Sequence, residues 1–171
     1  MHFANITKDE IDLVFDFYDK AIEFQKTVFH KSWLGFDRIL VETEIEEKRS
    51  WKIEDDDVVA CIYSVTYSDP IIWGANSGES AMYIHRIVTN PDCRGRGYVR
   101  SITGWATDFA RSNNLRFVRM DTWGDNEKLI NYYKDCGFSF RGVVTPEKSA
   151  ELPKHYSDIN LSLFEIDLEN E

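Results

Sequence analysis

The run from Ile84 to Tyr98, Ile-His-Arg-Ile-Val-Thr-Asn-Pro-Asp-Cys-Arg-Gly-Arg-Gly-Tyr, holds the residues best arranged to bind a ligand. An extended apolar stretch ends in a turn-forming Asn-Pro-Asp, and an Arg-Gly-Arg-Gly loop then opens onto a helix-like segment. Strand, glycine loop and helix together aim main-chain N–H groups at a phosphate, and the helix N-terminus adds a favourable field. Gly95 and Gly97 supply the dihedrals and close approach that such a loop needs. A tight loop with no ligand is the alternative. The Lys-Ser/Thr pair of a nucleoside-triphosphate loop and the three-glycine spacing of a dinucleotide fold are both absent, so a different phosphate-bearing ligand is expected. Arg94 and Arg96 either supplement the cradle or simply face solvent.

Other residues with chemical potential give weaker signals. His85 lies on the same strand and can accept a proton near neutral pH, directly or through water. Glu79, Tyr83 and Asp121 are its rivals as general base, a water chain leading out of the site is another route, and an ordinary core or surface histidine is the alternative to a catalytic one. Cys61, Cys93 and Cys136 are widely spaced and odd in number, which excludes a disulfide framework and favours a reducing compartment. Neither Cys93 nor Cys136 has a His and acid partner by spacing, so a covalent thiol mechanism is not expected. The cysteines and His2, His30, His85 and His155 form no recognised ligand spacing, and no metal is expected. Asp55-Asp56-Asp57 lacks the spacing of a calcium loop and reads as a solvated turn.

These residues need a frame, and hydrophobic periodicity supplies one. Residues 2–7 suit a short strand, and Thr7 with Glu10 has the spacing of a capping box. Ile11, Val14, Phe15, Tyr18, Ala21 and Ile22 then recur at helical spacing; Phe24 falls off the stripe, so the helix ends or changes face there. A second helix is expected over about 35–47, and strands over 50–54 and 58–67 pair through the aspartate turn. Residues 69–80, with Pro70, Gly74, Asn76 and Gly78, read as a long loop. Residues 81–89 form the next strand. Val99, Ile102, Trp105, Ala106 and Phe109 make an apolar helical stripe ending near Asn113-Asn114. A strand over 115–123, a helix over 126–135 stopped by Gly137, and strands over 138–144 and 159–168 complete the order, with an exposed loop over 145–158. The result is an α/β fold with one mixed central sheet flanked by helices, a single domain over residues 1–171.

Two separated motifs in this frame resemble the GNAT superfamily of N-acetyltransferases. The first is Thr89-Asn90-Pro91 followed by Arg94-Gly95-Arg96-Gly97-Tyr98-Val99, and the second is Asn126, Tyr133 seven residues later, then Gly137-Phe138. Together they cover about a third of the chain. The resemblance implies an acyl-CoA N-acyltransferase-like sheet in which a splayed pair of parallel strands, residues 82–89 and 116–122, holds acetyl-CoA. It implies that main-chain groups of Ile87, Val88 and Thr89 contact the pantetheine and acetyl carbonyl, and that those around Arg94, Gly95, Arg96, Gly97, Tyr98 and Val99 cradle the pyrophosphate. Asn126 would contact the pantetheine arm, or serve only as a helix N-cap. Tyr133 would protonate the departing thiolate, with a packed aromatic as its bland alternative. Val99 departs from the family's Gly/Ala; it is either tolerated with its side chain in the core or weakens cofactor binding.

The implied activity is acetyl transfer from acetyl-CoA to a primary amine of a small molecule or peptide by direct attack, with His85 the leading candidate for base. A catalytically weak CoA-binding regulator is the competing expectation, and transfer to oxygen or of a longer acyl chain stays open. Homodimers are common in the family. The helix pair before residue 48 and the 145–158 loop fall where the family's acceptor sites vary. Phe24, Phe29, Trp33 and Phe36 with Glu42, Glu44, Glu46 and Glu47 make that region aromatic and acidic, as either a rim for cationic amines or a solvated helix face.

Bulk properties agree. Hydrophobic content of 43% with 14% aromatic residues is ample for one core. The net charge of −10 discourages nucleic acid and anionic membrane as partners. Between Arg86 and Arg119 seven arginines face only Asp92 and Asp108, so this stretch alone is positive, as a small anionic ligand would want. Scattered solubilising arginines are the bland explanation. Met1 to Thr7 shows no basic segment followed by an apolar one, and apolar runs are far too short to span a membrane, so the expected location is cytoplasmic.

Overall fold

The structure, a computed structural model, describes residues 1–28, 32–124, 126–146 and 159–169. Strand β1 is His2–Asn5, and a 3-10 turn at Lys8–Glu10 leads into helix α1, Ile11–Val28. Helix α2, Arg38–Glu46, is followed by strands β2, Ser50–Asp55, and β3, Val58–Thr66. A short helix α3, Pro70–Trp73, and a 3-10 segment, Gly74–Gly78, precede strand β4, Ala81–Thr89. Then come helix α4, Tyr98–Ser112, strand β5, Phe117–Trp123, helix α5, Glu127–Asp135, and strands β6, Ser139–Val144, and β7, Leu161–Asp167. The seven strands form one mixed sheet in the order β1-β2-β3-β4-β5-β7-β6. β4 and β5 are parallel, while β1–β2, β2–β3, β5–β7 and β7–β6 are antiparallel.

Most expected elements stand where the periodicity put them, and local capping explains their ends. Glu10 Oε2 accepts from the Thr7 N–H at 2.9 Å and from the Thr7 hydroxyl at 3.1 Å, fixing the entry to α1. α1 runs on past Phe24, whose ring is left exposed off the buried face. Asp56 and Asp57 adopt φ values of 52° and 61°, the two left-handed residues that a tight hairpin turn requires. Residues 69–80 are not a loop throughout: Asp69 accepts from Ile72 N, Pro70 occupies the first turn, and Ile72 and Trp73 are buried. Asp followed by Pro is a helix start, and that signal outweighs the glycines after it. The loop expected over 145–158 lies outside the described residues from 147 on.

Two compact units divide the chain. Among the described residues, one comprises Met1–Val65 and Arg86–Arg96, the other Thr66–His85 and those from Gly97 on. The first has a core of Ile6, Val14, Phe17, Tyr18, Val41, Ile45, Ile62 and Val88. In the second the two faces of the sheet differ. Odd-numbered residues Ala81, Tyr83, Phe117, Leu161 and Leu163 share a core with Ile72 and Trp73 of α3. Even-numbered Met82, Ile84, Val118, Met120 and Phe164 are buried on the opposite face. α4 packs along β5 and buries Val99, Ile102, Thr103, Ala106 and Ala110.

Candidate active site

Strand pairing in the second unit stops short of the strand ends. The β4–β5 ladder runs from Ala81 opposite Phe117 to Ile84 opposite Met120, while β4 continues to Thr89 and β5 to Trp123. Just beyond the ladder's last pair stand His85 and Asp121, the next residues on each strand, with Nδ1 of His85 3.7 Å from Asp121 Oδ1. The other ring nitrogen, Nε2, lies 3.6 Å from Asp69 Oδ2. An imidazole is thus flanked by a carboxylate on each side.

Tyr133 belongs to the same unit and the other face. Its ring lies 5.1 Å from that of Phe164 and 6.5 Å from that of Phe138, and its side chain hydrogen-bonds Thr122. Thr122 and Phe164 are even-numbered neighbours of the ladder, whereas His85 and Asp121 point to the odd face. The two residues expected to handle protons therefore lie on opposite sides of the sheet, near the end of one ladder. Burial, then the charges of Tyr132, Cys136 and Asp121, push the Tyr133 phenol above its usual range. Such a phenol keeps its proton at neutral pH and serves as a hydrogen-bond donor.

Arg86, the residue after His85, has φ 51° within a strand, a left-handed conformation uncommon for a residue other than glycine. Its guanidinium pairs with buried Glu44, hydrogen-bonds Ser64, and lies over the rings of Tyr18 and Phe36. These contacts hold Arg86 in its left-handed conformation. Thr89 Oγ1 is 3.7 Å from Cys61 Sγ, a thiol that burial pushes up to about 12.

The loop that follows is open and backbone-rich. Gly95 and Gly97 have φ 81° and 76°, and a Cβ on either would meet nothing within 4 Å. Gly97 is the N-cap of α4 and brings no side-chain cap to its first turn. Tyr98 and Val99 are buried, so any ligand contact there falls to main-chain N–H groups. The Val99 side chain, where the family has a small residue, is buried. Arg94 stacks over the Phe24 ring at 3.8 Å, and Arg96 pairs with Asp56 at 3.0 Å and Asp55 at 3.6 Å. Asn126 caps α5 through Oδ1, which accepts from Lys128 N at 3.1 Å and Leu129 N at 3.2 Å.

The other candidates are engaged elsewhere. Glu79 and Tyr83 both contact buried Arg119, which also donates to Glu165 Oε2 at 2.8 Å and to the Asn76 carbonyl at 2.7 Å. Cys93 and Cys136 are buried, and burial raises the Cys136 thiol, so neither resembles an activated nucleophile. The acidic rim is mostly consumed: Glu44 is buried against Arg86, Glu42 pairs with Arg38, Glu46 with Lys8 and Glu47 with Arg49. Trp33 packs edge to face on Tyr18 and Phe36, the Tyr18 and Phe36 rings are tilted to each other, and the partly buried Trp33 and Phe36 lie against the core; Phe29 lies outside the described residues. Asp69 was not among the expected site residues, although Asp69-Pro70 is the signal that could have found it. Asp69, His85 and Asp121 offer donor atoms within 4.8 Å of one another. The carboxylates face different ring nitrogens, an arrangement that serves the imidazole better than one ion.

Comparison with known proteins identifies the family. The model of the acetyltransferase (GNAT) family matches residues 16–138, and the chain belongs to that family. It is 26% identical over 157 residues to an uncharacterized N-acetyltransferase of Methanocaldococcus jannaschii, an overlap of 82% of this chain and 61% of the relative. The chain thus spans about three-fifths of that relative's length. A GNAT-family acetyltransferase from Listeria monocytogenes shares the fold with a TM-score of 0.77 at 19% identity, over 97% of this chain and 94% of that one. A Salmonella typhimurium acetyltransferase solved with its cofactor acetyl-CoA superposes with a TM-score of 0.68 at 14% identity, over 99% and 95% of the two chains. No helix among the described residues is long and apolar enough to cross a membrane.

Proposed function

We propose that this chain is an acetyl-CoA-dependent N-acetyltransferase, residues 1–171 acting as one domain on a primary amine of a small molecule or peptide. One observation carries the reading: His85 with Asp121 stands on one face of the sheet and Tyr133 with Thr122 on the other, both next to the point where the β4–β5 ladder ends. Family membership and the Salmonella relative's acetyl-CoA support it. The glycine loop fits the diphosphate of that cofactor, because its open, left-handed glycines and the α4 N-terminus leave main-chain N–H groups for an anion.

When bound, acetyl-CoA supplies an activated acetyl group, whose thioester the amine attacks. His85 accepts the proton that the amine nitrogen must shed. Asp121 offsets the charge this creates. Tyr133 donates a hydrogen bond to the sulfur as negative charge builds there, and Thr122 holds the phenol in place. Gly95 to Val99 would hold the diphosphate through main-chain N–H groups, with Arg94 and Arg96 adding positive charge to the loop. Ile87, Val88 and Thr89 orient the pantetheine by main-chain hydrogen bonds, and the Nδ2 end of Asn126 is the end that serves a ligand. The regulatory alternative drew on Val99, and the burial of that side chain takes the ground from it.

A cytoplasmic location and a homodimer belong to the same reading. The test is calorimetry with coenzyme A followed by thiol release from acetyl-CoA across amines, amino acids and peptides. Binding with turnover on at least one amine is expected. Absence of coenzyme A affinity overturns the reading, and tight binding with no turnover on any acceptor replaces it with the regulator.

A further inference from the structure

Asp69 has no part in the mechanism above, yet its surroundings are built around one oxygen. The main-chain N–H of Asp69 donates to Ser77 Oγ at 3.0 Å, its carbonyl accepts from Trp73 N at 3.0 Å, and Oδ1 accepts from Ile72 N at 3.4 Å. Every local bond therefore fixes the residue while Oδ2 stays out of the cap. That oxygen is buried, has no hydrogen-bond partner among the described residues, and lies 3.6 Å from His85 Nε2. A buried acceptor is costly unless a donor reaches it, and the imidazole N–H is the donor at hand.

We propose that Asp69 is the positioning residue of the base: it holds the His85 ring opposite Asp121 and stabilises the proton that His85 takes from the amine. The inference rests on His85 acting as base. Its bookkeeping is simple: the amine N–H bond breaks, an N–H bond forms on the imidazole, and the resulting cation lies between two carboxylates. Burial pushes the Asp69 carboxyl up to about 6, so it is mostly ionised at neutral pH. The other charges on this face are already matched. Arg119, two residues before Asp121, is neutralised by Glu79 and Glu165, and Tyr83 hydrogen-bonds Arg119. Tyr133 approaches Asp121 from the far side. Among the described residues, Asp69 and Asp121 are the carboxylates set against the imidazole nitrogens.

The test uses the full chain and two readouts, only one of which needs activity. Ring-nitrogen NMR follows the titration of His85 in the wild type and in Asp69→Asn, a variant that keeps the Oδ1 cap. The midpoint is expected to fall by about half a pH unit or more on loss of the carboxylate. In parallel, kcat of Asp69→Asn is expected to drop on the order of 100-fold with acetyl-CoA affinity unchanged, while the acidic limb of kcat/KM moves to lower pH. A merely structural Asp69 would change melting temperature and leave both the His85 midpoint and that limb where they were. An unmoved midpoint overturns the proposal, whatever the activity. If His85→Gln turns over normally while the midpoint moves in Asp69→Asn, the base assignment fails and the proposal falls with it, although the contact is real.

Discussion

Tyr133 holds its proton more tightly than an ordinary phenol, and this shapes what it can do. Complete transfer to a thiolate would run uphill, so the side chain works best by a hydrogen bond that strengthens as the sulfur becomes negative. Tyr133→Phe should lower kcat on the order of 100-fold while the KM for acetyl-CoA stays within about threefold, measured by thiol release. The direction of the shift also predicts a pH profile. No fall in kcat from phenol ionisation is expected between about pH 8 and 10, because the folded-state midpoint lies above the usual value near 10. A descending limb in that interval that vanishes in Tyr133→Phe would contradict the environment described. Asp69 carries the opposite cost. Burial moves its carboxyl from 3.8 to about 6, so the folded chain binds more protons than the unfolded chain across that window. Stability therefore declines as pH rises from about 4 to 6, by at most about 3 kcal/mol, and the loss persists above it. Asp69→Asn should accordingly gain stability at pH 7 relative to pH 4, read by urea denaturation at the two pH values.

At the scale of elements, the α4 entry makes the sharpest demand on sequence. Gly97 at φ 76° is the N-cap of α4 and, in the proposed function, the floor of the diphosphate site, so a side chain there brings strain and, with cofactor bound, bulk. Gly97→Asp should destabilise by about 1–2 kcal/mol through the left-handed backbone alone. Its charge should also weaken coenzyme A binding by more than tenfold in calorimetry, whereas Gly104→Ala on the same helix should leave binding alone. That loop was legible because glycine spacing reports backbone conformation directly. The strand bearing His85 was legible from its apolar run, whereas Tyr133 was singled out only by the family resemblance that pairs it with Asn126. Asp69 was not, because the glycines of 74–78 drew the whole segment into a loop and hid a four-residue helix. Nor was the left-handed Arg86, since nothing in Arg flanked by His and Ile announces that backbone. Its conformation depends on Glu44 and Ser64, residues distant in sequence whose approach only the fold decides.

Across the whole molecule, the arginine-rich stretch shows how a charge count misleads when partners are out of view. Between residues 86 and 119 only Arg94 and Arg96 lie in the ligand loop, and even they are held by Phe24 and by Asp55 and Asp56. Arg100 donates to the Asp135 carbonyl, and Arg116 pairs with Asp167. Arg86 and Arg119 are structural, one in each compact unit: the first against Glu44 and Ser64, the second against Glu165, Glu79 and the Asn76 carbonyl. Removing one member of such a pair leaves the other buried and uncompensated, which costs about 3–5 kcal/mol, whereas replacing both with apolar residues of similar size is far milder. Arg119→Met should therefore lower stability by that amount in denaturant titrations followed by tryptophan fluorescence. Arg119 is 1% exposed and Glu165 is buried beside it, so water does not reach that carboxylate, whereas exposed Glu79 regains its hydration. Adding Glu165→Leu to Arg119→Met should restore part of the loss, because the orphaned carboxylate is then gone. A double variant no more stable than the single one would mean that Glu79, Tyr83 and the Asn76 carbonyl, rather than Glu165, carry the energy of this buried guanidinium.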